Sequence, residues 1–451
     1  MQKSRPLSLR LQIRHFKNTF FQVGELPFQD LFPATLIKAM HQSGDVRETV
    51  FTPLVTLKAF LLQVLSSTGS CKEAVAHIFT ERLSCGYEAN SMNTGPYCKA
   101  RQRLSLTHIQ EGMMQVGQAL HQQAPESWLW KGYRVVLLDG TTILMPDTED
   151  NQANYPQQSA QKQGLGFPIM RLVGLLSLAT GSCINYATDT FQGKGTGETS
   201  LFSLLIPTLK ESDLLLADRY YTTYAIMALM IKRGTPLVFR QRQNVKTDFR
   251  RGERLGAKDH LIMVKKPVRR PVWMSKDEYA LLPNKIIIRE FSVEGVIYVT
   301  TLLDKKAYPK TELAELYQQR WKIELDFRTI KTHMGMEMLR CQTALMVDKE
   351  VGVNLLAYNL VRANLARAAS STEKTPRQLS FMAVVQLMHH TVSFCLTLTS
   401  KALAKLLSPL MDAMAYTEIG NRNRPNQPRV IKRRPKSYPL MTKPRHEYST
   451  T

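Results

Sequence analysis

The chain has 451 residues, 43% hydrophobic and 22% charged, so it is long enough for more than one domain and has an ordinary globular composition. Its 60 Lys and Arg against 37 Asp and Glu leave a net charge of +23, which favours a polyanionic partner, either nucleic acid or an anionic membrane surface. The sequence has no apolar run of the roughly 18 residues that a membrane span needs. Its six scattered Cys include no CxxC, which predicts reduced thiols rather than a disulfide framework.

The first part of the chain, residues 1–125, is predicted to be helical. Apolar residues recur there at helical spacing, as at Leu54 and Leu57, and few β-branched runs interrupt them. A short basic helix that carries one aromatic residue is predicted over 97–103. A solvated helix face explains such a run most simply, and a DNA-contacting helix is the alternative.

An α/β pattern begins after this region and extends over residues 130–345. Buried-strand runs alternate with helical segments, one of which begins near Glu198 and another near residue 221. The predicted strands are 134–140, 169–178, 183–191, 213–218 and 237–240. The order β-β-β-α-β-α-β predicts a ribonuclease-H-like core.

A basic, β-rich insertion in this core is predicted over about 241–305. Residues 232–285 hold 15 Lys or Arg against 5 Asp or Glu, and alternation typical of a strand returns at 296–302. A strong helix is predicted over about 311–333, and further helices over 346–420. The tail, 421–451, has nine Lys or Arg and one acid and is rich in Pro, which predicts a flexible basic arm.

Two aspartates end predicted strands of the core. Asp139 closes the first strand and Asp218 the fourth, and this order makes the two strands central neighbours. Carboxylates that meet at one sheet edge repel each other and are tolerated best around a divalent cation. Oxygen ligands without Cys or His favour Mg²⁺ or Mn²⁺ over Zn²⁺. Each aspartate could also be a simple strand-end residue, and other acids of the region compete with them, namely Asp147, Asp150, Asp189 and Asp213.

The helix predicted over 311–333 carries a mixed polar stripe. Tyr317, Arg320, Glu324 and Lys331 stand at offsets of 0, 3, 7 and 14. At about 100° per residue they fall on one side of the helix, within about 60°. A carboxylate flanked by these groups could bind a metal while its neighbours hold phosphate oxygens. A solvated face with ion pairs inside the helix is the alternative.

These residues resemble those of a known family. Tyr317-x2-Arg320-x3-Glu324-x6-Lys331 matches the Y-(2)-R-(3)-E-(6)-K signature of IS4-type DDE transposases, the enzymes of insertion sequences. The contexts Leu-Leu-Asp139-Gly-Thr-Thr and Leu-Ala-Asp218-Arg-Tyr-Tyr are similar to the two aspartate motifs of that family, and the resemblance covers nearly the whole chain. It implies a ribonuclease-H-like fold and cut-and-paste DNA transposition.

The resemblance also implies roles for the acids and for the partners of the chain. Asp139, Asp218 and Glu324 would be the catalytic triad that holds two Mg²⁺ ions, with Mn²⁺ able to substitute, for cleavage and strand transfer at DNA ends. The substrates would be double-stranded DNA with terminal inverted repeats and the target DNA, bound by a homodimer. A bacterial cytoplasmic protein with no membrane partner is expected.

Further residues are implied to contact DNA. Tyr317, Arg320 and Lys331 would hold phosphates near the cut, and an aromatic residue of the insertion would stack on a flipped base. Trp273 is the candidate for this aromatic because it is the only Trp there, and a core position is its alternative. The helical region would read the repeats through Lys99, Arg101 and Arg103.

Two other functions remain open at this stage. One is an inactive DNA-binding relic that keeps the fold, and the other is a metal-dependent nuclease that cuts DNA without joining it. The intact triad and stripe favour an active protein over a relic. The basic arm and the additional terminal regions favour transposition over plain cleavage.

Overall fold

The computed structural model of the protein describes residues 50–84, 86–88, 91–395, 400–419, 441–444 and 447–448. The first 49 residues of the predicted helical region, and all of the predicted basic arm 421–451 except 441–444 and 447–448, lie outside them. Among the described residues, no helix is both long enough and apolar enough to cross a membrane. Cys71, Cys98, Cys183 and Cys341 are free, in line with the predicted reduced thiols.

In the described part of the chain, a mixed sheet of nine strands forms the centre, in the order β3-β2-β1-β4-β5-β9-β8-β7-β6. The strands are β1 (Arg134–Leu144), β2 (Ile169–Ser177), β3 (Cys183–Thr190), β4 (Asp213–Ala217), β5 (Leu237–Arg240), β6 (Glu253–Gly256), β7 (Asp259–Lys265), β8 (Lys285–Val293) and β9 (Val296–Thr300). The first five form an antiparallel β1-β2-β3 meander joined through parallel β1-β4 and β4-β5 pairs. This is the ribonuclease-H-like topology that the order of elements predicts.

The predicted β-rich insertion extends this sheet instead of forming a separate body. β9 pairs antiparallel with β5, and β8, β7 and β6 follow outward from it. The backbone groups of β5 that would otherwise form a sheet edge are therefore paired.

Helices cover both faces of the sheet. They are α1 (Pro53–Leu65), α2 (Cys71–Ser84), α3 (Gly95–Arg103), α4 (Leu106–Gln122), α5 (Glu149–Asn154), α6 (Glu198–Leu205), α7 (Tyr224–Arg233), α8 (Lys276–Ala280), α9 (Lys310–Gln318), α10 (Lys322–Arg328), α11 (Ala344–Ser370), α12 (Phe381–Cys395) and α13 (Ser400–Ala415). Local signals mark several ends. For example, the Thr223 hydroxyl accepts from the Ile226 N–H at the start of α7, and Gly234, at φ 69°, ends that helix in the left-handed conformation.

Strand alternation divides β1 between two hydrophobic cores. Val135 and Leu137 face a core built with α1, α4, α9, α10 and α11. Val136 and Leu138 face a second core built with α6, α7 and α8. The result is a three-layer α/β/α arrangement in which residues 135–138 of β1 are buried between the two helical layers.

Helices α1 and α4 share the first core with the sheet. Helix α4 lies directly on β3, where a Cβ at Gly117 would come within 1.9 Å of the Cys183 carbonyl oxygen. Asn359 of α11 ties the two elements together. Its amide donates to the carbonyl oxygens of Met113 and Cys183, and its Oδ1 accepts from the Cys183 N–H.

Two of the predicted elements differ clearly from the structure. β1 does not end at Gly140, because its pairing with β2 continues from Asp139 opposite Gly174 to Leu144 opposite Ile169. The helix predicted over 311–333 is not continuous. A 3₁₀ turn at 319–321 separates α9 from α10, and a π turn occupies 329–333.

Candidate active site

Asp139 and Asp218 lie side by side at the carboxyl end of the β1–β4 pair. The parallel register ends with Leu138 opposite Ala217, so the next residue of each strand is one of the aspartates. Neighbouring strands are about 4.8 Å apart, which brings the two side chains together. The backbone holds both carboxylates, because Asp139 Oδ1 accepts from the Gly140 N–H at 2.8 Å and Asp218 Oδ1 accepts from the Tyr220 N–H at 2.8 Å.

Glu324 reaches this pair from α10 through Arg320. The Arg320 guanidinium donates from Nη1 to Asp139 Oδ2 at 3.3 Å and from Nη2 to Glu324 Oε1 at 3.0 Å. One cation therefore bridges an acid of the sheet and an acid of the helix. Asp139 thus has Asp218 on the neighbouring strand and is linked to Glu324 through Arg320.

Burial raises the pKa of Asp139 to about 6. The Gly140 N–H and the Arg320 cation oppose this shift, whereas the negative charges of Asp218 and Glu198 add to it. Burial, with a smaller contribution from the surrounding acids, thus makes the ionised form of Asp139 unfavourable.

The other two stripe residues also face the acids. Tyr317 is buried, its ring meets that of Tyr298 edge to face, and burial raises its pKa to about 12 despite the nearby Arg320. Lys331 donates to the Thr141 hydroxyl at 3.5 Å. Thr141 lies two positions after Asp139 and so on the same face of β1. The stripe residues therefore stay on one side of the segment, although a 3₁₀ turn separates α9 from α10.

Glu198, the first residue of α6, is a fourth carboxylate at this edge that motif reasoning missed. Its charge adds to the raised pKa of Asp139, and its own pKa is raised by burial and by Asp218, against the Arg171 cation. The Tyr221 hydroxyl donates to it at 3.4 Å. Gly140 makes room for it, because a Cβ there would lie 2.7 Å from the Glu198 carboxyl carbon. The glycine directly after Asp139 was the feature of the sequence that could have indicated a neighbouring side chain at this position.

The donor set suits a hard divalent cation, which prefers carboxylate oxygens. Among the described residues, however, no three His, Cys, Asp or Glu side chains are grouped closely enough to hold a metal ion. The Arg320 guanidinium supplies the positive charge between Asp139 and Glu324 instead.

The remaining predicted DNA contacts lie away from the acids. Trp273 is half-buried and packs against the second core. Lys99 and Arg103 are exposed on α3. Arg101 points inward, because its guanidinium stacks on Phe60 and Tyr97 and donates to Gln63 Oε1 at 3.3 Å. The position of Arg101 favours a structural role.

The competing acids all have other partners. Asp147 accepts from Gln152, Asp150 from the Ala344 N–H, Asp189 from the Thr190 N–H, and Asp213 from the Lys210 N–H beside His121. None of these contacts involves the triad.

Comparison with known proteins gives consistent matches. Residues 130–360, slightly more than half of the chain, match the family model described as the transposase DDE domain. The chain is 25% identical over 423 residues to the transposase InsG for insertion sequence element IS4 of Escherichia coli strain K12, which covers 92% of this chain and 93% of that relative. A cryo-EM structure of the piggyBac transposase synaptic complex with hairpin DNA aligns over 91% of this chain and 88% of its own, with 10% identity and a TM-score of 0.42.

Proposed function

The chain belongs to the transposase DDE domain family and is a transposase of an insertion sequence, and we propose that it cuts DNA at the ends of its element and joins those ends to target DNA. One observation carries the proposal. Asp139 and Asp218 end one parallel strand pair, and Arg320 ties Glu324 to Asp139. Three acids and a basic stripe thus meet at one accessible edge.

Each residue has a role in this proposal. Asp139, Asp218 and Glu324 would hold two Mg²⁺ ions, for which Mn²⁺ can substitute. Bound there, such ions would supply activation of the attacking oxygen and stabilisation of the leaving oxygen in an in-line phosphoryl displacement. Arg320 would move from the acids to a DNA phosphate, and Lys331 and Tyr317 would hold the strand beside it.

The DNA contacts further away are part of the same proposal. The exposed Lys99 and Arg103 would bind near the terminal repeats, and the basic insertion would follow the phosphate backbone. A homodimer in the bacterial cytoplasm would bring two element ends together.

Glu324→Gln tests the proposal directly. The substitution removes one carboxylate and keeps the basic surface, so we expect excision to stop, with a loss of roughly 10³-fold or more, while DNA affinity changes little. The assay is excision and reinsertion in cells of a marker flanked by the native DNA on either side of this gene. Glu315→Gln, at an exposed position of α9, is the matched control.

The same assay separates the alternatives. Metal-dependent cutting without reinsertion would identify a nuclease, and DNA binding without cutting would identify a relic. Excision by Glu324→Gln at the wild-type level would contradict the assignment of the triad.

A further inference from the structure

Asp326 lies two residues after Glu324 on α10 and points in the opposite direction. Two helical positions differ by about 200°, so one side chain faces outward when the other faces inward. The Glu324 side chain is 36% exposed, and Asp326 is 1% exposed. Because α10 has only 7 residues between a 3₁₀ turn and a π turn, its own hydrogen bonds fix its rotation weakly.

Two arginines bind both oxygens of the Asp326 carboxylate. Arg362 Nη2 donates to Oδ1 at 2.7 Å. Arg377 donates from Nη1 to Oδ1 at 3.0 Å and from Nη2 to Oδ2 at 2.8 Å. All three side chains are at most 9% exposed. These short, charge-assisted bonds restrict the direction of the carboxylate more narrowly than an apolar contact would.

The arginines are in turn fixed to the β2–β3 turn. Arg377 Nη2 donates to the Ser177 carbonyl oxygen at 2.9 Å. Arg362 Nε donates to the Tyr358 hydroxyl at 2.9 Å, and that hydroxyl donates to the Gly181 carbonyl oxygen at 2.7 Å. A continuous chain of bonds therefore runs from the sheet, through the two arginines, to the helix that carries Glu324.

We propose that Asp326 is a positioning residue for Glu324, and that the Asp326–Arg362–Arg377 cluster sets the rotation of α10 so that Glu324 meets Asp139 and Asp218. This inference rests on the proposed function. An ion pair that served stability alone could be replaced by apolar residues without loss, whereas a group that orients a ligand affects what the ligand binds.

Asp326→Asn tests the inference, because it keeps the size of the side chain and removes its charge. The matched control is Asp259→Asn, which removes the carboxylate partner of the buried Arg289 in the insertion. Mn²⁺ binding is measured by electron paramagnetic resonance on protein bound to a pre-cut end duplex, which offers no bond to cleave. The cutting rate per folded molecule is measured on the uncut duplex as Mg²⁺ is varied.

We expect Asp326→Asn to bind Mn²⁺ about 10-fold to 100-fold more weakly and to need correspondingly more Mg²⁺, with an unchanged KM for DNA. Asp259→Asn should lose thermal stability and keep the wild-type metal dependence. Arg377→Gln, which leaves the Arg362 bond in place, should show a smaller shift in the same direction.

Wild-type Mn²⁺ affinity and Mg²⁺ dependence in folded Asp326→Asn would overturn the inference. If that variant does not fold, the same result in Arg377→Gln would overturn it. A metal shift of equal size in Asp259→Asn would also count against it, since it would show a general effect of reduced stability. If the wild type itself neither binds Mn²⁺ on the duplex nor cuts, the proposed function fails first.

Discussion

At the scale of one residue, Asp139 is a carboxyl group whose ionised form is disfavoured in the folded protein. Burial and the nearby acids raise its pKa to about 6, even though Arg320 and the Gly140 N–H favour the carboxylate. The folded protein therefore keeps a proton on this group at pH values where the unfolded chain has lost it. In the proposed function, a bound divalent cation would offset this cost.

Asp139→Asn is expected to stabilise the metal-free protein at neutral pH. The contribution of Asp139 to stability falls as the pH rises from about 4 to about 6, because the folded state must give up a proton that it binds more tightly than the unfolded state. The amide has no such proton, so the variant should gain about 1 kcal/mol or more at pH 8. Urea unfolding with a chelator at pH 5 and at pH 8 measures the difference.

Glu315→Gln, at an exposed acid, should leave this difference unchanged. A metal-free Asp139→Asn protein that is less stable than the wild type at pH 8 would show that the Arg320 bond outweighs the burial of charge.

The sequence predicts the residues of the site better than their environment. Arg320 contacts both Asp139 and Glu324, and Lys331 contacts Thr141 of the same strand, whereas the catalytic roles that the motif implies stay a prediction. Glu198 escapes prediction because its closeness to Asp139 depends on the packing of α6 on the opposite face of the sheet. The inward turn of Arg101 likewise depends on the tertiary position of Phe60.

At the scale of elements, the five core strands lie close to their predicted positions because each is a dense apolar run between turn residues. The path of the sheet through the insertion could not be predicted, since pairing between β5 and β9 joins residues about 60 positions apart. The break between α9 and α10 has no local signal such as proline. The assumption of one uninterrupted helix nonetheless placed the stripe residues on the correct side of this segment.

Gly117→Ala tests the contact between α4 and β3. Alanine favours a helix by about 1 kcal/mol over glycine. Here its Cβ would meet the Cys183 carbonyl oxygen at 1.9 Å, so we expect a net loss of about 3 kcal/mol or more of unfolding free energy. Denaturant unfolding measures it. Gln115→Ala, at an exposed position of the same helix, should be neutral or slightly stabilising.

Substitution of Trp273 distinguishes between two roles for the insertion. If its ring stacks on a flipped base, Trp273→Ala should slow opening of the DNA end, and an abasic site at that base should restore the rate in part. If the ring serves only the second core, the variant should lose about 2–3 kcal/mol of stability, and the abasic site should give no rescue. Cutting rates on normal and abasic duplexes, together with the thermal midpoint, decide between the two roles.

At the scale of the whole molecule, part of the net charge of +23 lies on the surface of the insertion. Lys265 of β7 and Lys285 of β8 are exposed and directly opposite each other in the register. Like charges in that position destabilise a sheet, so a polyanion such as DNA would relieve the repulsion.

DNA affinity should therefore fall steeply with salt, and Lys265→Gln with Lys285→Gln should flatten that dependence. The slope of log affinity against log salt should become less steep by about 0.9 for each phosphate that the protein no longer neutralises. Lys210→Gln with Lys232→Gln is the control, because it removes the same charge from exposed positions before and after β4, outside the insertion. Equal flattening by both pairs would indicate a diffuse charge effect without a DNA track along the insertion.

The core that the N-terminal helices α1 and α4 share with the sheet restricts how the end specificity of such a protein can be altered. A recognition module on a flexible tether can be exchanged by cutting the tether. Here Gly117 and Asn359 join α4, β3 and α11 at close contact, so a transplanted N-terminal region would have to bring a matching α4 and keep the surface of α11 that receives it. If the exposed Lys99 and Arg103 contact the element ends as proposed, new end specificity is best engineered by changing such positions in place. Chimaeras in which the whole N-terminal region is exchanged are expected to fail because they do not fold.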